Sequence, residues 1–229
     1  MSQVSIEDIA RFRAQGSWRV LESIAKRIAK DVTQKTGRDF QPLLGGDTRL
    51  MLSLNHRISH DIDLFFTDAQ WIGYLTPRLN DYVEALAGDY DEAADYLKLR
   101  FPEGEIDFIV RTRLLNLPPE FEPDTTFSLD PISEVLAKKL FFRGATLTSR
   151  DLFDWWAIET MRPGLVPAVE MGKLLRTRAD GIHLALDSIE KSSRSMKAWS
   201  AILSPSIPDF GSSIKWAKTQ LDIYLAASR

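Results

Sequence analysis

The sequence predicts an α+β fold: a small mixed sheet with helices over residues 1–125, followed by an all-helical C-terminal domain over 126–229. Three observations predict it. Short apolar runs bounded by turn residues recur up to residue 110. Beyond Asp130 apolar residues recur only at helical spacing. Between the two stretches, Pro118, Pro119 and Pro123 mark a loop or linker.

An N-terminal helical region is predicted over residues 5–36. Ser5-Ile6-Glu7-Asp8 reads as a capping box, with Ile6, Ile9 and Phe12 at helical spacing behind it. Trp18, Leu21, Ile24 and Ile28 repeat the spacing after Gly16, and Gly37 ends the region. Phe40 to Leu44 is a short strand running into Gly45-Gly46, and Asp47 to Leu54 is a helix of a turn or two. Asp61 to Phe66 is a second strand. Thr76-Pro77 predicts a helix start with proline at the first helical position, running towards Gly88. Tyr96 to Phe101 and Glu105 to Val110 flank the turn Pro102-Glu103-Gly104, which predicts a hairpin. Helices follow at Ile132–Arg143, Ser149–Met161, Pro167–Thr177, Gly181–Ser192 and Ser213–Ala227, with no strand among them.

Of the 229 residues, 44% are hydrophobic and 27% charged, which suits a globular chain with a sizeable core. The absence of cysteine excludes disulfides and thiolate metal sites. Only His56, His60 and His183 remain as imidazole ligands, so any metal is expected to be a hard, oxygen-bound ion such as magnesium. No apolar run has signal-peptide or membrane-spanning character, so a cytoplasmic location without a membrane partner is expected. The net charge of −3 does not mark a dedicated nucleic-acid binder. It conceals an asymmetry, however. Residues 1–130 carry 15 Lys and Arg against 22 Asp and Glu, whereas residues 131–229 carry 14 against 10.

The segment LLGGDTRLMLSLNHRISHDIDLFF, residues 43–66, concentrates the chemistry. Residues i and i+2 of a strand share a face, so Asp61 and Asp63 project together while Ile62 and Leu64 face the other layer. Two carboxylates this close repel, and a divalent cation held by both relieves the repulsion. The plainer alternative is that one aspartate caps a turn and the other is solvated. The upstream glycine pair weighs against it. Gly45-Gly46 lies where a strand gives way to a helix, where backbone N–H groups can cradle a phosphate with no side chain in the way.

Gly45-Gly46 followed by His56-Arg57-x-Ser59-x-Asp61-Ile62-Asp63-Leu64-Phe65-Phe66 resembles the signature of the AbiEii-type nucleotidyltransferase toxins, within the DNA polymerase β-like nucleotidyltransferase superfamily. Where the usual pattern reads Gly-Gly-Thr-Ala-Leu, this chain has Gly46-Asp47-Thr48-Arg49-Leu50, which adds one acidic and one basic residue beside the phosphate loop. Glu134 to Leu140 is similar to the family's Lys-Leu helix. Arg150-Asp151-Leu152-Phe153-Asp154 is similar to its Arg-Asp-hydrophobic-hydrophobic-Asp helix.

The resemblance implies a polymerase β-like nucleotidyltransferase domain that uses Mg2+ or Mn2+ and an NTP substrate. It implies metal ligation by Asp61 and Asp63, with Asp107 as the third carboxylate. Asp107 is equally well read as a solvated edge residue, and Glu105 on the same face is the alternative. Gly45 and Gly46 are the implied phosphate cradle. Lys139 is the implied triphosphate contact; Lys138 points elsewhere, since i and i+1 diverge on a helix. Asp151 also fits a capping box begun by Thr148. Asp154, among Phe153, Trp155 and Trp156, needs a partner and is the implied functional residue of the catalytic set, placed with Lys139. Arg57 either steadies a phosphate or pairs with Asp61, and Ser59 lies beside it. His56 and His60 read as polar loop residues, and the tryptophans as core.

The activity so implied is transfer of a nucleoside monophosphate from an NTP to an acceptor hydroxyl, with pyrophosphate released, by a toxin of a type IV system with a cognate antitoxin. Some members act on tRNA ends, so RNA is the favoured acceptor. The excess of cations after residue 131 agrees, in particular Lys173, Arg176, Arg178, Lys191, Arg194 and Lys197. The acidic first half suits a cationic small molecule instead, as in aminoglycoside-type transferases. A nucleotide-binding module without turnover is the third alternative.

Overall fold

The computed structural model describes residues 4–229; residues 1–3 of the expected first domain lie outside the described residues. Helix α1 (Ile6–Gln15) opens on the expected box: the Asp8 N–H donates to Ser5 Oγ and the Ser5 N–H to Asp8 Oδ2. Helix α2 (Trp18–Thr36) stops at Gly37, which takes the left-handed conformation at φ +66°. Strand β1 (Leu43–Gly45) passes directly into α3 (Gly46–Leu54), which Asn55 ends at φ +50°. Strand β2 (Ile62–Phe66) follows.

The helix expected from Thr76-Pro77 is replaced by two shorter ones, α4 (Trp71–Leu75) and α5 (Asp81–Glu84). A residue preceding proline is pushed out of the helical region, and Thr76 accordingly ends α4 with ψ 132°. Asn80 starts α5 by accepting from the Tyr82 and Val83 N–H groups. Strand β3 (Asp89–Glu92) precedes the expected hairpin of β4 (Tyr96–Phe101) and β5 (Gly104–Val110).

The five strands form one mixed sheet in the order β1-β2-β5-β4-β3. Only β2 and β5 run parallel, and their register sets Asp63 beside Asp107. Alternation divides the faces. Ile62, Leu64, Leu97, Leu99, Ile106 and Phe108 are buried against Leu21, Ile28 and Val32 of α2. Asp63, Phe65, Lys98, Glu105, Asp107 and Ile109 point to the opposite face, which is left open as one wall of a cleft.

From Ile132 onward the elements are helical. Helix α6 (Ile132–Lys138) was expected to reach Arg143, but the chain widens into a π turn at Lys139–Arg143 and a 3-10 turn at Gly144–Thr146. Then come α7 (Ser149–Met161), α8 (Ala168–Leu175), α9 (Ala179–Lys191), α10 (Ser193–Ser200) and α11 (Phe210–Ala227). Leu136, Phe153, Trp155, Ile158, Ile214 and Leu221 centre their core. Helix α3 serves both cores: Met51 and Leu52 pack with the sheet, Leu50 and Leu54 with the helices. Among the described residues, no helix is long and apolar enough to cross a membrane.

Candidate active site

The open sheet face and the turns after α6 enclose a cleft of about 390 Å³. Gly46, Ser59, Asp61, Asp63, Asp107 and Lys139 all line it, so six of the nine expected site residues meet there. The carboxylates come from the sheet. Arg143 and Arg150, from beyond α6, bring positive charge to the lining, as do Lys138 and Arg111.

Asp63 lines the cleft against Gly46. A Cβ built on Gly46 would come within 1.8 Å of Asp63 Oδ2, and Gly46 itself has φ +61°. Glycine is required there on both counts. Burial, then the charges of Asp47 and Asp107, push the Asp63 carboxyl up to about 7, with Lys139 and Arg143 pulling the other way. Asp107 is raised too, first by burial, although Lys98 Nζ lies 3.1 Å from its Oδ2. Its Oδ1 is buried and has no hydrogen-bond partner among the described residues.

The expected ligand trio of Asp61, Asp63 and Asp107 does not close into a cluster. No group of three or more His, Cys, Asp or Glu side chains able to hold a metal occurs among the described residues. The cause is local: Asp61 precedes β2, and its Oδ1 accepts from the Glu105 N–H at 3.0 Å. The donor chemistry still fits a hard divalent ion. Magnesium is commonly held by one or two carboxylates, with water and substrate phosphate completing its shell, and does not require an all-protein cage. The unpartnered Asp107 Oδ1 and the crowded Asp63 are carboxylates with an unmet need for positive charge.

Behind the cleft lies a buried ionic network. Lys139 Nζ is 2.6 Å from Asp47 Oδ1, 2.9 Å from Asp151 Oδ1 and 3.0 Å from Asp154 Oδ2. Three carboxylates outweigh the burial that acts to lower the Lys139 pKa, and raise it. Asp154 is fully buried and receives Arg57 Nε at 2.6 Å and Arg57 Nη2 at 2.9 Å, with His56 Nε2 at 2.8 Å. Burial acts to raise the Asp154 carboxyl, but Arg57 and Lys139 hold it well below its ordinary value. Burial lowers the His56 pKa, so the ring is neutral near pH 7 and its Nε2–H is the donor to the ionised Asp154. Asp151 makes the expected capping box and also joins the ionic network. Its Oδ2 closes the capping box with Thr148, and its Oδ1 accepts from Lys139 and Arg143.

Three expected site residues lie outside the cleft lining. Arg57 pairs with Asp154 and, at 2.6 Å, with Asp47, instead of with Asp61 or a phosphate, and it lies outside the cleft lining. Asp154 has the partners it needed, but it stands behind the cleft with no face towards it. Gly45 is likewise outside the lining, since its free flank meets the Phe65 ring 2.5 Å from a Cβ built there. Ser59 lines the cleft and accepts from Thr48 Oγ1 at 3.0 Å. Lys138 diverges from Lys139 as expected, reaching Asp130 Oδ2 at 2.7 Å with its ammonium over the Phe65 ring.

Arg143 and Arg150 were not singled out from the sequence. A signal existed for Arg143, which lies four residues beyond Lys139, a spacing that keeps helical side chains on one face. Arg49, the basic addition beside the phosphate loop, is fully buried and ties α3 to the Asp130 carbonyl and Glu120, so it takes no part in the cleft. Of the six C-terminal cations, all are exposed, but Arg176 donates to the Ser228 carbonyl and Arg178 stacks on Phe141.

No curated protein matches the chain. Two solved structures from Helicobacter pylori are similar at 14% identity. One, a candidate nucleotidyltransferase, has a TM-score of 0.47 over 90% of this chain and 94% of its own. The other, JHP933, has a TM-score of 0.48 over 90% of this chain and 91% of its own. Neither likeness carries weight at these scores. The family model described as nucleotidyl transferase AbiEii toxin, type IV toxin–antitoxin system, matches residues 33–219, and the chain therefore belongs to the AbiEii family of nucleotidyltransferases.

Proposed function

We propose that the protein transfers a nucleoside monophosphate from an NTP to the terminal hydroxyl of an RNA, tRNA being the favoured acceptor, and that it acts as a toxin restrained by a cognate antitoxin. The observation that carries this reading is the pairing, within one cleft, of Asp63 and Asp107 on adjacent parallel strands with the cations of residues 139–150 opposite. Triphosphate and carboxylates are both anionic, so a site that holds them together needs positive charge on either side of the reacting phosphorus. The sheet and helical parts on either side of that cleft suit a polymerase β-like domain over residues 1–125 and a helical domain over 126–229.

Asp61 and Asp63 would hold a Mg2+ or Mn2+ ion, with Asp107 beside Asp63 as the third carboxylate. A bound ion would acidify the acceptor hydroxyl and neutralise charge on the departing pyrophosphate. The chain's own groups do the rest. Gly46 leaves room for phosphate beside Asp63. The acceptor oxygen bonds to the α-phosphorus as the bond to the β-phosphate oxygen breaks. Asp107, whose proton affinity burial has increased, takes the hydroxyl proton. Lys139, Asp151 and Asp154 fix the helices that form the other wall, and Arg57 with Asp47 ties that wall to the phosphate loop.

A second reading, transfer to a cationic small molecule, is favoured by the acidic rim of Asp61, Glu105 and Asp107. Incubating the protein with each α-labelled NTP, Mg2+ and total RNA separates the readings. RNA labelling with pyrophosphate release is expected. Pyrophosphate release into labelled small molecules alone favours the second reading, and NTP binding without release refutes both.

A further inference from the structure

Lys139 and Arg143 leave the same π turn but present themselves to the cleft differently. A lysine has three N–H donors and no more. Lys139 donates hydrogen bonds to Asp47 and Asp151 and pairs with Asp154, all within 3.0 Å, so three carboxylates surround its one charge, and its side chain is 7% exposed. Asp47 is the member of this trio that faces the cleft, and its other oxygen is 2.6 Å from Arg57. A phosphate oxygen approaching Lys139 therefore meets the negative charge of Asp47 and competes with three carboxylates for the ammonium. Arg143 is in the opposite position. Its side chain is 54% exposed and spends only Nη1, at 2.9 Å, on Asp151. Among the described residues the rest of its fork has no partner, and it lines the cleft across from Asp63. Arg150 lines the same wall and makes no ion pair among the described residues.

We propose that Arg143, rather than Lys139, is the cation that meets the phosphates of the nucleotide, and that Asp47 is the residue that confines Lys139 to a positioning role. The inference rests on the nucleotide-transfer reading. A guanidinium suits the task, because its planar fork can donate two parallel bonds to a phosphate, while an ammonium acts as a point charge. Holding Lys139 in the network also keeps Asp151 and Asp154 from being buried without a counter-charge.

The test is titration of each of the four NTPs with Mg2+ into folded protein, paired with steady-state kinetics. Arg143→Gln is expected to raise Kd and KM by about tenfold or more, the size of one lost charge-assisted hydrogen bond, with a smaller change in kcat. Arg143→Lys should recover part of the loss. Adding Asp47→Asn to Arg143→Gln should release Lys139 towards the cleft and restore affinity, which a merely structural Asp47 would not do. Melting curves confirm that each variant is folded. If wild type binds NTP and Arg143→Gln binds it equally well, the inference falls while the nucleotide-transfer reading stands. It falls also if Lys139→Gln stays folded and loses as much affinity as Arg143→Gln, or if Asp47→Asn fails to rescue. Wild type that binds none of the four NTPs removes the transfer reading and the inference with it.

Discussion

Arg57 grips Asp154 with two nitrogens, Nε to Oδ1 at 2.6 Å and Nη2 to Oδ2 at 2.9 Å, across 97 residues of sequence and with both side chains at most 3% exposed. The pair joins the loop before β2 to α7, and Lys139 and Asp47 extend it to the first turn of α3. Removing one member of a buried pair leaves the other charge unpaired in a poorly solvated place, which costs about 3–5 kcal/mol. Arg57→Ala and Asp154→Ala should each lower the unfolding free energy by an amount in that range, seen as a lower denaturant midpoint. Replacing both with apolar residues of similar volume should cost less than either single change. A single variant as stable as wild type in urea unfolding would show that the pair is dispensable.

Gly46 meets Asp63 too closely to tolerate a side chain. Gly46→Ala would place a methyl 1.8 Å from the Asp63 carboxylate at φ +61°, so the loop or the aspartate must move. Displacement of about 1 Å at a reacting centre can cost roughly a hundredfold in rate. The expected result is therefore a loss of transfer on that order, with a folded far-UV spectrum. Full activity in Gly46→Ala would mean that Asp63 need not sit at the phosphate loop.

What the sequence made legible was local. The Ser5 and Thr148 capping boxes, the left-handed Gly37 and the common face of β2 follow from residues within four positions of one another. Strand β3 was not legible, because Asp89, Tyr90 and Asp91 are exposed and show no alternation; its extended form comes from pairing with β4. Helix α10 hid for a similar reason, with Trp199 as its one fully buried residue. In the candidate site, Asp61, Asp63 and Lys139 could be picked out from motif and order. The partners of Arg57 and Lys139 could not be, since they are drawn together by tertiary packing over roughly ten to a hundred residues. Asp47 was visible as a departure from the family pattern, but its hold on two cations was not.

Stability should depend on pH through Asp63. Its folded pKa, about 7, lies above the ordinary carboxylate value of about 3.9 that it has when unfolded. A raised carboxyl favours the fold below the unfolded pKa, and that contribution is lost as pH rises through the folded pKa. Asp107, shifted in the same direction, adds to the effect. Asp47, Asp151 and Asp154 are shifted the other way, and their contributions change only in more acidic solution. His56, whose pKa burial lowers, works the other way, since its contribution is lost as pH falls below the ordinary imidazole value. The Asp63 contribution is therefore read as a difference: between pH 5 and 8, metal-free wild type should lose Tm relative to Asp63→Asn. Calorimetry at the two pH values checks this; parallel Tm changes in both proteins would remove Asp63 as the cause.

An RNA acceptor should leave the cleft along α10. Ser149, which neighbours Arg150 of the cleft lining, donates to the Ser195 carbonyl at 2.8 Å and so ties α10 to the start of α7. Arg194 and Lys197 on α10 are exposed and make no ion pair among the described residues, nor does the exposed Lys191 just before them. Arg176 and Arg178 are partly engaged by Ser228 and Phe141, which makes them the weaker candidates. Each phosphate neutralised on a single strand steepens the fall of log affinity with log salt by about 0.7. If Arg194 and Lys197 each meet one phosphate, Arg194→Glu with Lys197→Glu should weaken RNA binding and flatten that slope by roughly 1.4. NTP affinity should be untouched, since neither residue lines the cleft. The alternative is that these cations form only a solvated helix face. RNA binding by wild type and the double variant with the same slope, measured by fluorescence anisotropy at several salt concentrations, would establish that alternative and move the acceptor's path off α10.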